Sequence, residues 1–421
     1  MPTTPPTLVP PRNSSPARPT RPAHRSGRDA DTPVPERGRP TPTGRAAGRR
    51  LRAARAALVV CAVHAGSAAL HLVVLTLMIP PGGAGVRDRL LAWDARHFVD
   101  IAADGYPTGF TRTPEGELTG NELAFFPLYP LLTRGLAVLT GLDTGTAAIV
   151  VAHLALLAAL FAVHALLGRL YGERAALTGI VLLAGAQPMA LTFLMGYSEA
   201  LFLALAAGAL LALHRRAWLT AGVLSLLCGL TRPVGLAVAL AVAVAAGQHL
   251  LRHRRMEVRP VAAVLLACAG TPAYLAWVGA RLGRMDAWFL IQRAGWGTGW
   301  DHGAAFWRFL GEALGRQDGW VPVSTAVLVL AVLGGTVAAW GRGAWPPLLV
   351  YGTAVVVLAV GQSNYYHCKL RLLLPAVVFL VPAARALAGA RPRTAVAVSA
   401  GAVLFGCWYG AYMLTTWPYA I

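Results

Sequence analysis

Seven of the chain's 18 carboxylates fall within 35 residues, from Asp88 to Glu122. They are Asp88, Asp94, Asp100, Asp104, Glu115, Glu117 and Glu122, and most of the sequence after residue 55 is otherwise apolar. Leu91, Asp94, Phe98 and Ile101 recur at spacings of three and four, which predicts an amphipathic helix over residues 88–103 with Asp94 in its apolar stripe. A carboxylate there costs several kcal/mol unless it is paired or used. Burial also raises its proton affinity, as a general base requires. Pairing with Arg87 or Arg96, or helix capping, is the structural alternative.

His97, one turn on, can share a site with Asp94 or serve as a structural hydrogen-bonder. Asp94 and His97 alone are too few for a metal site. Glu122 precedes the run F-F-P-L-Y-P, as a helix N-terminal carboxylate or a substrate contact. Glu199 follows Tyr197 and Ser198 at the head of an apolar span, where an acid is costly and therefore a functional candidate; the alternative is capping with Ser198. Arg232, in T-R-P-V-G between two apolar runs, is placed to hold an anion or to snorkel to the interface. Lys369 and Arg371 enter another span. A guanidinium fork beside an ammonium suits phosphate, with a lipid head group as the other candidate.

The elements that must carry these residues are membrane spans. Of 421 residues, 56% are hydrophobic and 13% charged, and mean hydropathy is +0.55. Soluble domains carry about 25% charged residues. Apolar runs long enough to cross a bilayer predict an all-α, polytopic helical membrane protein with about 11 transmembrane helices. They fall near 55–79, 145–168, 175–194, 199–214, 217–231, 235–250, 260–281, 323–341, 345–361, 370–388 and 394–416. The five cysteines are scattered, with no C-x-x-C pair, which argues against disulfide scaffolding and structural zinc. No G-x-G-x-x-G turn or P-loop points to a nucleotide.

Residues 1–54 read as a disordered basic cytoplasmic tail, since residues 1–55 carry 12 Arg and three acids and are rich in Pro, Thr and Ser. Anionic lipid, rather than nucleic acid, is its expected neighbour. Residues 55–421 form the expected membrane domain, with a first outer loop at 80–144 and a large outer loop at 282–322. With the tail inside, Arg169, Arg174, Arg215, Arg216, Arg252, Arg254, Arg255, Arg259, Arg342, Arg391 and Arg393 all fall inside as well, as the positive-inside rule requires. The acidic block, Glu199, Arg232 and Arg371 then share the outer face of the plasma membrane. This holds only if Ala124–Thr140, which contains Pro127 and Pro130, lies at the interface rather than crossing. The aromatics of loop 282–322 are read as an interfacial belt in preference to a substrate lid. Of 37 basic side chains 36 are Arg, which points to a high-GC, actinobacterial source.

W-D-x3-F-x-x-I-A-x-x-G-Y from Trp93, E-x-x-F-F-P-L-Y-P-L-L from Glu122, S-E-x-L-F from Ser198 and T-R-P-x-G from Thr231 together resemble the PIG-V mannosyltransferase family. The resemblance implies a GT-C fold, a polyprenyl-phosphate-linked mannose donor, an extracytoplasmic site and inversion at the sugar carbon. It makes Asp94 the catalytic base and places Glu122, Glu199 and Arg232 at motif positions. No cofactor is then expected, because a lipid-linked donor needs no nucleotide site and cations can hold its single phosphate. The partners expected are that donor, a lipid, glycan or protein acceptor, and membrane lipid. A non-catalytic lipid-linked-sugar flippase or transporter is the rival reading.

Overall fold

The computed structural model describes residues 42–316 and 319–421, with side chains from residue 53 onward. The chain divides into two units, residues 1–51 and 52–421. The tail expected over residues 1–54 lies outside the described residues as far as residue 41; from Pro42 the backbone is already helical, in the helix Pro42–Met78. The second unit holds the membrane bundle and the site.

Among the described residues six helices are long and apolar enough to cross a bilayer: Ala53–Met78, Thr144–Tyr171, Gly235–His253, Val258–Leu282, Trp320–Gly341 and Pro392–Thr415. A seventh span is assembled if Tyr366–Ala376 and Leu380–Gly389, bent by 58° at their junction, are taken together. The polytopic all-α architecture is as expected. Three other expected spans fall on shorter apolar helices, Glu199–His214, Trp218–Gly229 and Pro346–Gly361. At 1.5 Å per residue these reach about 18–24 Å, against about 30 Å of hydrocarbon. The expected span 175–194 is broken into the helix Glu173–Val181, a π turn Leu182–Ala186 and a 3-10 turn Ala190–Leu194.

Short helices are held by backbone-close packing. A Cβ on Gly222 would lie 2.8 Å from Ala263 Cα, and one on Gly229 would lie 2.6 Å from Thr271 N. Trp218–Gly229 therefore packs directly on Val258–Leu282, the small-residue solution that membrane helices favour.

The segment expected as the first outer loop, residues 80–144, packs on the bundle through its helices. The single helix expected over 88–103 is two, Val86–Leu90 and Asp94–Asp104. They break at Trp93, whose φ of 59° is a left-handed value costly for a bulky side chain. The apolar spacing stays in phase across the break, which is why the periodicity conceals it. Phe98 and Ile101 are buried as expected. Leu128–Thr140 is a 13-residue helix with Leu131, Val138 and Leu139 exposed. At about 20 Å it is, like Trp218–Gly229, shorter than the bilayer core. Its Arg134 donates from Nε to Ala102 O at 2.7 Å and from Nη2 to Ala103 O at 2.7 Å. Those carbonyls end the Asp94–Asp104 helix, so Arg134 satisfies acceptors the helix cannot.

Candidate active site

Asp94 is the first residue of its helix. The turn at Trp93 aims it inward, and the positive end of the helix favours a carboxylate there. The turn is held from across the bundle. Gly196 N donates to Leu90 O at 2.9 Å, and Tyr197 Oη to Ala92 O at 3.4 Å. The Tyr197–Ser198–Glu199 motif thus forms the wall opposite Asp94.

Arg371 reaches Asp94 from the bent span. Its Nη1 donates to Asp94 Oδ2 at 2.7 Å, and its Nε lies 3.7 Å from Glu199 Oε1. The guanidinium sits over the Tyr197 ring, 4.9 Å from the centroid. Arg232, on the turn after Trp218–Gly229, donates from Nη1 to Ser198 Oγ at 3.1 Å and lies 2.7 Å from Glu199 Oε1. That last contact is ionic without being a directed hydrogen bond. Glu199 is 1% exposed, and neither of its oxygens, nor Arg371 Nε, has a hydrogen-bond partner. Two arginines and two carboxylates therefore share a buried cluster that keeps unused hydrogen-bonding capacity, and such groups are costly unless a ligand completes them.

These four residues line one cavity of about 160 Å³. Phe98, Phe125, Trp288 and Leu372 supply apolar wall, and Gln292, Thr298, Gln362 and Asn364 supply polar groups. A second cavity of about 690 Å³ opens on the other side of Asp94, lined also by Asp88, Arg89, Arg96, His97 and Asp100. Burial, and after it the charge of Glu122, holds the Asp100 carboxyl above its ordinary range.

The remaining sequence candidates are placed at the edges. His97 Nδ1 and Glu122 Oε1 form a pair at 3.1 Å, and the His97 ring stacks on Phe125 at 4.8 Å. This pair ties the turn Glu122–Ala124 to the Asp94 helix, and His97 lines the larger cavity. Lys369 is 1% exposed. Its Nζ donates to Ala359 O, Gln362 O and Asn364 Oδ1 at 3.0, 2.9 and 2.8 Å. An ammonium has three protons, so Lys369 is fully engaged in closing the turn after Pro346–Gly361. It lines a separate cavity of about 480 Å³ with Arg308 and Glu312.

The loop 282–322 divides between the two roles considered for it. Phe289, Trp300 and Trp307 are exposed, as a belt requires. Trp288, Gln292 and Trp296 instead face the site from the helix Ala287–Trp296. Trp288 Nε1 and Gln292 Nε2 both donate to Ala124 O, at 3.2 and 3.0 Å, and Trp296 Nε1 points to Asp94 Oδ1 at 3.4 Å. These three residues were not candidates from sequence. Their spacing of four, which stacks them on one helical face, was the available signal.

A scan against protein-family models finds no match, and a search of curated proteins finds none. Among solved structures the chain is similar to the oligosaccharyltransferase of Archaeoglobus fulgidus in the apo form. Identity is 12%, covering 85% of this chain and 56% of that one, with a TM-score of 0.50. It is also similar to ArnT from Cupriavidus metallidurans bound to undecaprenyl phosphate, at 17% identity, 82% and 62% coverage and a TM-score of 0.49. The chain spans about three fifths of the length of these structures. What is shared with the oligosaccharyltransferase at such identity is the fold, a polytopic helical membrane bundle.

Proposed function

We propose that the chain is an inverting membrane glycosyltransferase of the PIG-V-like kind, moving mannose or a related sugar from a polyprenyl-phosphate donor to an acceptor on the extracytoplasmic face. The observation that carries this reading is the cluster of Asp94, Arg371, Glu199 and Arg232, gathered from four separate motifs into one cavity beside a second one lined by charges of both signs. The solved protein with the shared fold is named an oligosaccharyltransferase, which suits glycosyl transfer without defining the sugar.

In this mechanism the donor phosphate lies in the smaller cavity against Arg232 and Arg371. The acceptor enters the larger one. Asp94 takes the proton of the acceptor hydroxyl, whose oxygen attacks the sugar carbon from the face opposite the phosphate. The carbon–oxygen bond to phosphate breaks, and the phosphate leaves with that electron pair, stabilised by the guanidinium groups. One displacement needs one carboxylate base and no carboxylate nucleophile. Glu199 balances the two arginines through Oε1 and offers Oε2 to sugar hydroxyls.

The test uses purified protein in lipid, radiolabelled polyprenyl-phosphate-mannose and a membrane extract as acceptor pool. Transfer into a new product is expected, and Asp94→Asn is expected to lower it by about 10²–10⁴-fold, the usual worth of a positioned base, while donor binding persists. Normal turnover by the variant would remove Asp94 from the role. Donor movement across the bilayer without a new glycosidic bond would instead establish the transporter.

A further inference from the structure

The cavities on either side of Asp94 share two lining residues, Asp94 itself and Trp296. Trp296 ends the helix Ala287–Trp296. Beyond its N–H contact to Asp94, its ring meets His97 edge-on with centroids 5.7 Å apart and Phe125 at 5.2 Å. Its position is set by a backbone contact between the loops 80–144 and 282–322. A Cβ on Gly120 would lie 2.6 Å from Gly295 Cα and 2.7 Å from the Trp296 ring, and a Cβ on Gly295 would lie 2.7 Å from Gly120 Cα. Only glycine at both positions lets the chains approach this closely.

We propose that Trp296, clamped by the Gly120–Gly295 contact, is a positioning residue that partitions the site, fixing Asp94 Oδ1 and keeping water from competing with the acceptor. The proposal rests on the transferase reading. The competing reaction differs only in its nucleophile. A water oxygen attacks the sugar carbon, the bond to phosphate breaks, the phosphate leaves with the electron pair, and the water proton passes to Asp94. The products are free sugar and polyprenyl phosphate. Base and leaving group serve both reactions equally, so selectivity must come from what reaches the carbon. The shared wall is where that is decided.

The experiment counts label in the acceptor product and label released as free sugar in the same sample, with the full chain in lipid and radiolabelled polyprenyl-phosphate-mannose. Trp296→Ala and Gly295→Ala are expected to raise the ratio of free to transferred sugar by about tenfold, the scale on which pocket shape discriminates. Trp296→Phe keeps an aromatic wall but no N–H. It is expected to hold the ratio while lowering kcat several-fold at unchanged donor KM. Loss of both outputs in equal proportion in Trp296→Ala and Gly295→Ala would overturn the proposal, as would an unaltered ratio in folded Trp296→Ala. Unmutated protein yielding neither product would overturn the transferase reading and this proposal with it. Transfer by the unmutated protein with an invariant ratio in the variants would overturn the partition alone.

Discussion

Arg371 holds Asp94 by an ion pair. The two residues are 277 positions apart and meet at 2.7 Å, with side chains 9% and 18% exposed. The proposed base is thus neutralised by the same guanidinium that is proposed to bind the donor phosphate. A phosphate that takes over Arg371 releases the carboxylate at the moment it is needed, so donor binding is expected to precede productive acceptor binding.

Arg371→Lys tests this double role. A lysine keeps the charge but loses the fork that spans Asp94 and Glu199. Donor KM is expected to rise and kcat to fall, together by about 10²–10³-fold in kcat/KM, the range for removing one charge-stabilising donor. Initial-rate kinetics with both substrates varied should show ordered addition, donor first, in the unmutated protein. Random addition with an unimpaired Arg371→Lys variant would separate the ion pair from the chemistry.

Glu199 is predicted to matter for stability as well as for substrate. It is buried between Arg232 and Arg371, at 2.7 and 3.7 Å. Glu199→Gln leaves two guanidinium groups facing one remaining carboxylate. Removing one member of a buried charge cluster costs about 3–5 kcal/mol. A clear drop in Tm of the lipid-embedded protein should accompany weaker donor binding. An unchanged Tm would mean the cluster is solvated well enough to lose its counter-ion.

The site was legible in the sequence where chemistry is concentrated and illegible where geometry decides. Asp94, Glu199, Arg232 and Arg371 stood out because charge is expensive in apolar sequence, and the structure gathers all four at one cavity. Lys369 stood out for the same reason, yet its three protons are consumed by its own turn, a fact carried by carbonyl positions and not by residue types. The break at Trp93 was hidden because Leu91, Asp94, Phe98 and Ile101 remain in phase across it. Trp296 was hidden among aromatics whose composition suits a membrane belt as well as a wall. The bundle was readable from hydropathy, while the span count was not, because Glu199–His214, Trp218–Gly229 and Pro346–Gly361 are shorter than the bilayer core and depend on packing.

Acid should loosen the loop 282–322 before the bundle. Asp301 accepts from Gly303 N at 3.0 Å and from Ala305 N at 2.7 Å, capping the helix Ala304–Arg316. The Ala305 N–H first, then that of Gly303 and the charges of Lys369 and Arg308, hold this carboxyl below its ordinary 3.8. A depressed folded value means that the contribution is present above 3.8 and is lost as pH falls through the folded value. Protection against hydrogen exchange at residues 304–308, taken relative to each amide's intrinsic rate at the same pH, should therefore fall below about pH 4, and Asp301→Asn should show lower protection already at neutral pH. Protection that stays constant with pH in this segment would show that the cap carries no stability.

The side of the membrane on which the site opens decides whether a polyprenyl-phosphate donor can reach it from outside. Glu115 sits at the exposed tip of the turn closed by the Arg112–Leu118 bridge. A Glu115→Cys variant in intact cells should react with a membrane-impermeant maleimide above the background of the unmutated chain, whose Cys61 and Cys268 lie within membrane-spanning helices. The basic connections at Arg215–Arg216 and Arg252–Arg255 should become reactive, as cysteine variants, only after the cells are opened. This pattern follows from the excess of arginine on one set of connections, which fixes orientation during insertion. Labelling of Glu115→Cys only after opening would invert the bundle, place Asp94 on the cytoplasmic face and remove the basis for an extracytoplasmic donor.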